Sequence, residues 1–559
     1  MSEKLKHKKP FWKRFLKTIV IIAASLIAIY TGLNLWLRIP DPKIADMSLT
    51  KKEVIQNNGF SSFGNNRLRH SESGLWEMYV EGDEFERGVA IGKLEKNLLN
   101  YQETVFVEQI KQIIPSNVYL SALRIFIGFF NRNLPKNIPD EYKKEIYGIS
   151  LSCTHAYDNI GTPYERQLNY HAAHDVGHAM QDYMLVGCTS FAVWNRNSAD
   201  STLLIGRNFD FYVGDDFARN KIVAFYKPAH GHKFAMVTWA GMIGVLSGMN
   251  DAGLTVTINA AKSSIPTSSA TPISILCREI LQYASTVDEA YAIAKKRKTF
   301  VSESILVGSA KDNCAVIIEK SPDNMGIYRS NKEWLVCANH YQSDTFENDA
   351  KNIENINTSD SPYRQKRMEE LIERDLPVNP QKAASILRNK EGVGDKHIGL
   401  GNEKSINQLI CHHSVIFEPE KQLMWVSTAP WQIGKYEAYD LNKIFKHPDF
   451  SQEIHTDSLT IKEDDFLHSI DYQKFLQYRS LTKIIKRALK EKTPLPANTV
   501  TNYISANPEF FYVYDLAGDY FRMMKNNPEA LKLWNSALTK EIPEASEKQN
   551  IQKKIDKNK

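Results

Sequence analysis

Hydrophobic and polar positions change period several times along the chain. An uncharged run rich in Ile, Leu and Ala comes first, at 18–37. Helical spacing, with apolar residues three and four apart, dominates from about 76 to 185 and predicts helices over 101–114 and 142–157. From 188 to 345 the period shortens to two between turn residues. This predicts strands at 190–194, 203–210, 221–226, 234–239, 254–259, 304–308, 315–319 and 334–338. One helix over 274–296 interrupts them. Its second half opens on Thr286-Val-Asp-Glu289, a capping pattern in which Thr and Glu exchange bonds with free backbone N–H groups. Strands resume at 414–417 and 423–427, and beyond about 445 the spacing is helical again.

These changes divide the chain into a basic tip (1–17), the apolar run (18–37), a spacer (38–75), a helical region (76–187), a mixed core (188–445) and a helical extension (446–559). Twenty residues at about 1.5 Å each reach roughly 30 Å, the thickness of a bilayer's hydrocarbon core. The run at 18–37 is therefore expected to be a transmembrane anchor. Lys4, Lys6, Lys8, Lys9, Lys13, Arg14 and Lys17 before it predict the N-terminus inside and the bulk outside. The competing expectation is a cleaved signal peptide, which needs a small-residue cleavage site, and none stands after Leu37. The spacer lacks periodicity. The stretch around Ala517-Gly-Asp-Tyr520, Ala530, Trp534, Ala537 and Pro543 resembles one tetratricopeptide repeat. A lone repeat cannot bury its apolar face, so a helical hairpin packed on the core is expected. The Lys-rich end at 549–559 reads as a frayed tail.

Composition narrows the picture little. The 559 residues are 42% hydrophobic and 24% charged, and a net charge of +5, largely explained by the tip, gives no argument for a nucleic-acid partner. Six cysteines, at 153, 188, 277, 314, 337 and 411, show no CxxC pairing and no disulfide framework.

Cys188 stands apart. Gly187-Cys-Thr-Ser190 places a thiol at the start of a strand, and Gly206-Arg-Asn-Phe-Asp-Phe211 ends the next one, so antiparallel pairing would return Arg207 and Asp210 beside the thiol. An amide carbonyl resists attack, so a nucleophile, a base and an oxyanion donor are needed together. An N-terminal Cys supplies two of them: its thiol attacks, and its α-amino group, with an ordinary pKa of about 7.7–8, accepts the proton. Cys188 is internal, so cleavage after Gly187 would have to come first. Gly suits a strained scissile peptide.

With these motifs in place, the sequence resembles the Cys-nucleophile Ntn hydrolases: the acyl-CoA:6-aminopenicillanic acid acyltransferase (peptidase C45) family, bile salt hydrolases, and acid ceramidase with its acylethanolamine amidase relative. Further matches are Glu81-Gly-Asp-Glu-Phe-Glu-Arg-Gly-Val-Ala-Ile-Gly92, Gly248-Met-Asn-Asp-Ala-Gly-Leu-Thr-Val-Thr-Ile-Asn259, Ala338-Asn-His340 and Ser361-Pro-Tyr-Arg364, in order over about 76–440. The resemblance implies an α+β fold, a four-layer αββα sandwich. It implies Cys188 as nucleophile, Arg207 and Asp210 as its orienting pair, Asn259 as an oxyanion donor, and Asn339 and Arg364 as site-shaping groups, with Arg367 one turn away as a stand-in for Arg364.

The expected function is a self-cleaving amidohydrolase or acyltransferase acting on a small N-acyl amide or thioester through an acyl-thioester on Cys188. No cofactor and no metal are expected, the two cleaved chains are expected to stay associated, and the location is expected to be a bacterial inner membrane with the core in the periplasm. The alternative is a non-catalytic membrane scaffold, or a degenerate relative, using the C-terminal helices to bind a partner. His171, His174 and His178 share a helix face at zinc-like spacing but lack a second ligand cluster. Phe191, Phe209, Phe211, Tyr212, Trp239, Met242 and Tyr341 are expected either to line an acyl pocket or to fill the core.

Overall fold

The computed structural model describes residues 11–113, 125, 127–172, 185–262 and 269–559. Two large sheets form its centre. The first has eleven strands, from the short edge strand Ile55–Gln56 through Trp76–Gly82, Ile222–Pro228 and Leu254–Ala260 to Met325–Tyr328. The second has six, in the order Trp334–Cys337, Thr189–Asn195, Ser201–Phe209, His413–Glu418, Leu423–Ser427, Tyr436–Asp440.

Alternation along the strands produces the layers. In Ile222–Pro228, Val223 and Phe225 face the second sheet, while Ile222, Ala224 and Tyr226 face helices. In Thr189–Asn195, Ala192 and Trp194 point into the core between the sheets, and Phe191 and Val193 pack on the helices Ser361–Asp375 and Pro380–Leu387. Successive side chains leave opposite faces of a strand, so each strand serves two cores. Helix, sheet, sheet and helix follow in order, the four layers expected.

The predicted strands all form, with no end shifted by more than two residues. The helix expected over 274–296 is two, Ile273–Tyr283 and Val287–Lys296, because Thr286 caps the second by accepting from the Glu289 N–H at 3.3 Å. Two expectations change. The spacer at 38–75 carries strands Phe60–Phe63 and Asn66–His70, which extend the first sheet and bury Phe63 and Leu68. The region 76–187 opens on the strand Trp76–Gly82, which runs parallel to Ile222–Pro228 over seven residue pairs. That segment is woven into the core, and its two-residue period is too short to stand out from the helices that follow.

The run at 18–37 lies in a single helix, Phe11–Leu37, on which Trp12, Phe15, Leu16 and Ile19 are exposed. Among the described residues no helix is long and apolar enough to cross a membrane, so the anchor expected at 18–37 gains no support here.

The C-terminal extension exceeds one hairpin. Helices Ile470–Glu491, Thr499–Ala506, Phe511–Met523, Asn527–Leu538 and Ala545–Asp556 share an apolar core that takes in Leu409 and Ile433 of the central unit. The tail expected to fray at 549–559 is mostly helix, with Ile551 and Ile555 buried, because an apolar residue every four positions gives it a face to pack.

Candidate active site

Cys188 sits between the short strand Leu185–Val186 and Thr189–Asn195, and is 1% exposed. Pairing of Thr189–Asn195 with Ser201–Phe209 sets Ser190 opposite Arg207 and Thr189 opposite Asn208. The Arg207 guanidinium, fully buried, lies 3.8 Å from Cys188 Sγ. It is fixed by donating to the Leu246 carbonyl at 3.1 Å, to Ser247 Oγ and to the Ile258 carbonyl, and it stacks 4.3 Å above the Phe209 ring. Burial pushes the thiol up to about 11, with Arg207 pulling down and Asp210 and Glu303 pushing up. With its amine in a peptide bond, Cys188 is thus a protonated thiol at neutral pH.

Asp210 is buried, and neither carboxylate oxygen has a hydrogen-bond partner among the described residues. Burial raises its pKa to about 7, against the pull of Arg364 and Arg207. Its backbone carbonyl accepts from the Gly187 N–H at 3.1 Å and lies 4.0 Å from Cys188 Sγ.

Arg364 reaches the site and Arg367 does not. From the helix Ser361–Asp375, Arg364 donates to the Cys188 carbonyl and to Thr189 Oγ1, both at 2.8 Å. It also donates to Asn339 Oδ1 at 2.8 Å and to Asp360 at 3.1 Å. Arg367 turns instead to Asn389, Glu370 and Asp395. Asn339 is held by Ser361, which accepts from its backbone N–H at 2.7 Å, and by the Ala260 carbonyl, to which its amide donates at 2.8 Å. Asn259 is buried nearby, but its NH2 donates to the Cys337 and Ala338 carbonyls at 2.8 and 3.2 Å, and its oxygen accepts from Ser190 Oγ. An oxyanion role for Asn259 requires exchanging those bonds.

Sequence reasoning missed Gln408. Its Nε2 donates to the Gly187 carbonyl at 2.9 Å, and a Cβ on Gly187 would come within 2.4 Å of that nitrogen. Gly187 has no left-handed φ. Glycine is needed there for Gln408's approach, not for backbone strain. Nothing in the sequence near 408 marks it, since the contact spans 221 residues. Two further imidazoles, His412 and His413, border the cluster. His413 Nε2 lies 2.8 Å from Ser247 Oγ, which in turn binds Arg207, and its Nδ1 lies 2.9 Å from His412 Nδ1. Burial lowers the pKa of both rings, that of His412 to about 3, so both are neutral.

Beside this cluster lies a small cavity of about 40 Å³, lined by Leu99, Phe106, Phe211, Phe217, Trp239 and Met242 together with Glu103 and Tyr170. Phe211 pairs across from Val186, two residues before Cys188. Of the residues expected to line a pocket, Phe211, Trp239 and Met242 do so. Phe209 lies under Arg207, while Phe191 and Tyr341 fill other cores. His171 also lines the cavity, with Nε2 accepting from the Ile243 N–H and Nδ1 on the Gln167 carbonyl. His174 and His178 lie outside the described residues.

Residues 194–429 match the model of the family described as acyl-coenzyme A:6-aminopenicillanic acid acyl-transferase. The family resemblance holds over that core. The matched span begins just after Cys188 and contains Arg207, Asp210, Asn259, Asn339 and Arg364. An uncharacterized protein of Archaeoglobus fulgidus is 25% identical over 305 residues, 48% of this chain and 50% of its own length. Protein dcd1B of Dictyostelium discoideum is 23% identical over 270 residues, 45% of this chain and 51% of its own. The chain thus spans about half the length of each of these two relatives. Among solved structures, a Caenorhabditis elegans ortholog of N-acylethanolamine-hydrolyzing acid amidase overlays at 18% identity and TM-score 0.30, covering 42% of this chain and 93% of its own. A variant of the conjugated bile acid hydrolase from Clostridium perfringens overlays at 14% identity and TM-score 0.31, covering 50% and 97%.

Proposed function

We propose that this chain is a Cys-nucleophile amidohydrolase or acyltransferase for N-acyl amides, activated by its own cleavage between Gly187 and Cys188. The observation that carries the reading is the setting of Cys188: a buried guanidinium 3.8 Å from its sulfur, and its own carbonyl clamped by Arg364.

The uncut chain has no free amine at Cys188. In the activating step the Cys188 sulfur attacks the Gly187 carbonyl carbon, the peptide C–N bond breaks, and water hydrolyses the resulting thioester. This leaves a Gly187 carboxylate and a Cys188 amine. Gln408 Nε2 already donates to the carbonyl oxygen that would carry the negative charge, as an oxyanion donor must. The new amine supplies the base that the thiol lacks, with an ordinary pKa of about 7.7–8. Asp210, a buried carboxylate without a hydrogen-bond partner among the described residues, is suited to hold that amine when protonated.

In turnover the thiolate takes the acyl group, the amine leaves with a proton, and water or a second amine releases the acyl group. The aromatic cavity beside Val186 and Phe211 favours an apolar acyl chain. The seven-residue pairing of Trp76–Gly82 with Ile222–Pro228 supports continued association of the two chains.

Intact mass spectrometry tests the reading. Two fragments parting between Gly187 and Cys188 are expected, with Cys188→Ala leaving one inactive chain; a Cys188→Ala protein that still cleaves or still turns over amides refutes it. Location is a proposal resting on the basic tip and the uncharged run at 18–37 alone. Carbonate extraction of membranes tests it, and release of the chain overturns an embedded helix.

A further inference from the structure

Beside the strand Trp76–Gly82, three buried polar atoms without a hydrogen-bond partner among the described residues converge. Glu77 lies on the strand Trp76–Gly82 and is fully buried; Glu453 and His455 lie after the helix Leu441–Lys446. Glu77 Oε2, Glu453 Oε2 and His455 Nδ1 are all buried and lack a hydrogen-bond partner among the described residues. One ligand atom from each of the three residues lies within 4.8 Å of the others, and His455 Nδ1 is 3.4 Å from Glu453 Oε2.

The surrounding bonds aim these atoms inward. Tyr439 OH donates to Glu77 Oε1 at 2.9 Å, and Arg69 binds Glu453 Oε1, so in each carboxylate the other oxygen is left over. His455 Nε2 lies 2.8 Å from Asp457 Oδ1 and 3.6 Å from Glu437 Oε2. A proton on Nε2 shared with Asp457 leaves the lone pair on Nδ1, the tautomer that a carboxylate-supported metal ligand requires. Glu437, Glu453 and Asp457 surround the His455 imidazole, and Arg69 pairs with Glu453.

We propose that Glu77, Glu453 and His455 bind a divalent cation of the zinc type, with Asp457 orienting the imidazole. One imidazole nitrogen and two carboxylate oxygens form a three-ligand zinc set, with water completing four-coordination. Zinc–ligand bonds of about 2.0–2.1 Å in a tetrahedron place ligand atoms about 3.3–3.4 Å apart. The His455–Glu453 spacing already meets that, and modest side-chain shifts close the rest. Glu77 precedes Gly187 in sequence and the other two ligands follow it, so the cation ties the segment before the proposed cleavage point to the core after it. The inference does not depend on that cleavage.

The test uses the full chain with any affinity tag removed, loaded with Zn2+ and dialysed, and metal content read by plasma mass spectrometry. About one zinc per chain is expected in excess of that retained by Glu453→Gln and His455→Gln. Asp457→Asn, at an exposed carboxylate, should weaken Zn2+ binding by about 10–100-fold in a competition titration. Circular dichroism checks that each variant is folded, and should one ligand variant fail to fold, Asp457→Asn still decides. Zinc content and affinity unchanged in the folded variants, or a wild-type chain that retains no zinc, overturns the site.

Discussion

Replacing Gly187 by Ala tests whether Gln408 is the reason that position is glycine. The three heavy atoms nearest a Cβ at 187 are Gln408 Nε2 at 2.4 Å, Oε1 at 2.8 Å and Cδ at 3.0 Å, all from one buried side chain. Overpacking of this kind costs about 1–3 kcal/mol. Displacing Gln408 also forfeits its bond to the Gly187 carbonyl and leaves a buried amide unpaired, a further 1–3 kcal/mol or about that. The single variant should therefore lose about 2–6 kcal/mol of local stability. In a Gln408→Ala background the same Cβ meets none of these atoms, so its cost should nearly vanish. The cycle is best run with Cys188→Ala throughout, so that cleavage cannot alter the chain. Amide hydrogen exchange in Thr189–Asn195 and Ser201–Phe209 reads the local opening free energy. Additivity of the two substitutions within about 0.5 kcal/mol would refute the argument, because independent sites add to that tolerance.

Three further outcomes follow from the same contacts. Arg364→Leu strands the Asp360 carboxylate, the Cys188 carbonyl and Asn339 Oδ1, and should cost about 3–5 kcal/mol. Arg367→Leu should leave cleavage at Cys188 intact, and equal loss of cleavage in both would contradict the assignment of Arg364. Glu95 is fully buried, accepts from the Gly241 N–H at 3.0 Å, and is raised by burial from 4.5 to about 8. A carboxyl with a raised folded pKa contributes stability that is fully present below about 4.5 and lost as pH rises through 8. Glu95→Gln should accordingly flatten the fall in stability over that window, by an amount on the order of a few kcal/mol, in melts taken from pH 4.5 to 8.5. Ending the chain at 469 uncovers Leu409 and Ile433 and removes the Asn507 side chain that brackets Leu400 and the Glu541 partner of Lys404. Since that loop carries Gln408, the shortened protein should aggregate or, if recovered, fail to cleave; normal solubility and cleavage would show the extension to be dispensable.

The sequence by itself determined the strands of the core, because a two-residue period with β-branched and aromatic residues is a local property that each segment carries alone. It also marked Cys188, Arg207 and Asp210, since one hairpin register fixes their neighbourhood from a span of some twenty residues. Beyond that, contacts between distant segments decided the outcome. Nothing local distinguishes Arg364 from Arg367, one helical turn apart; only the placement of Ser361–Asp375 on the second sheet aims the first at Cys188 and turns the second away. Gln408 was invisible for the same reason, as was the convergence of Glu77 with Glu453 and His455. The spacer and the Lys-rich tail read as unstructured because each has few apolar residues, and each gains its order from a sheet edge or a helix face supplied by the rest of the chain. Hydrophobic period is written residue by residue, whereas the burial of a charge and the choice of its partner exist only once the layers have closed around them.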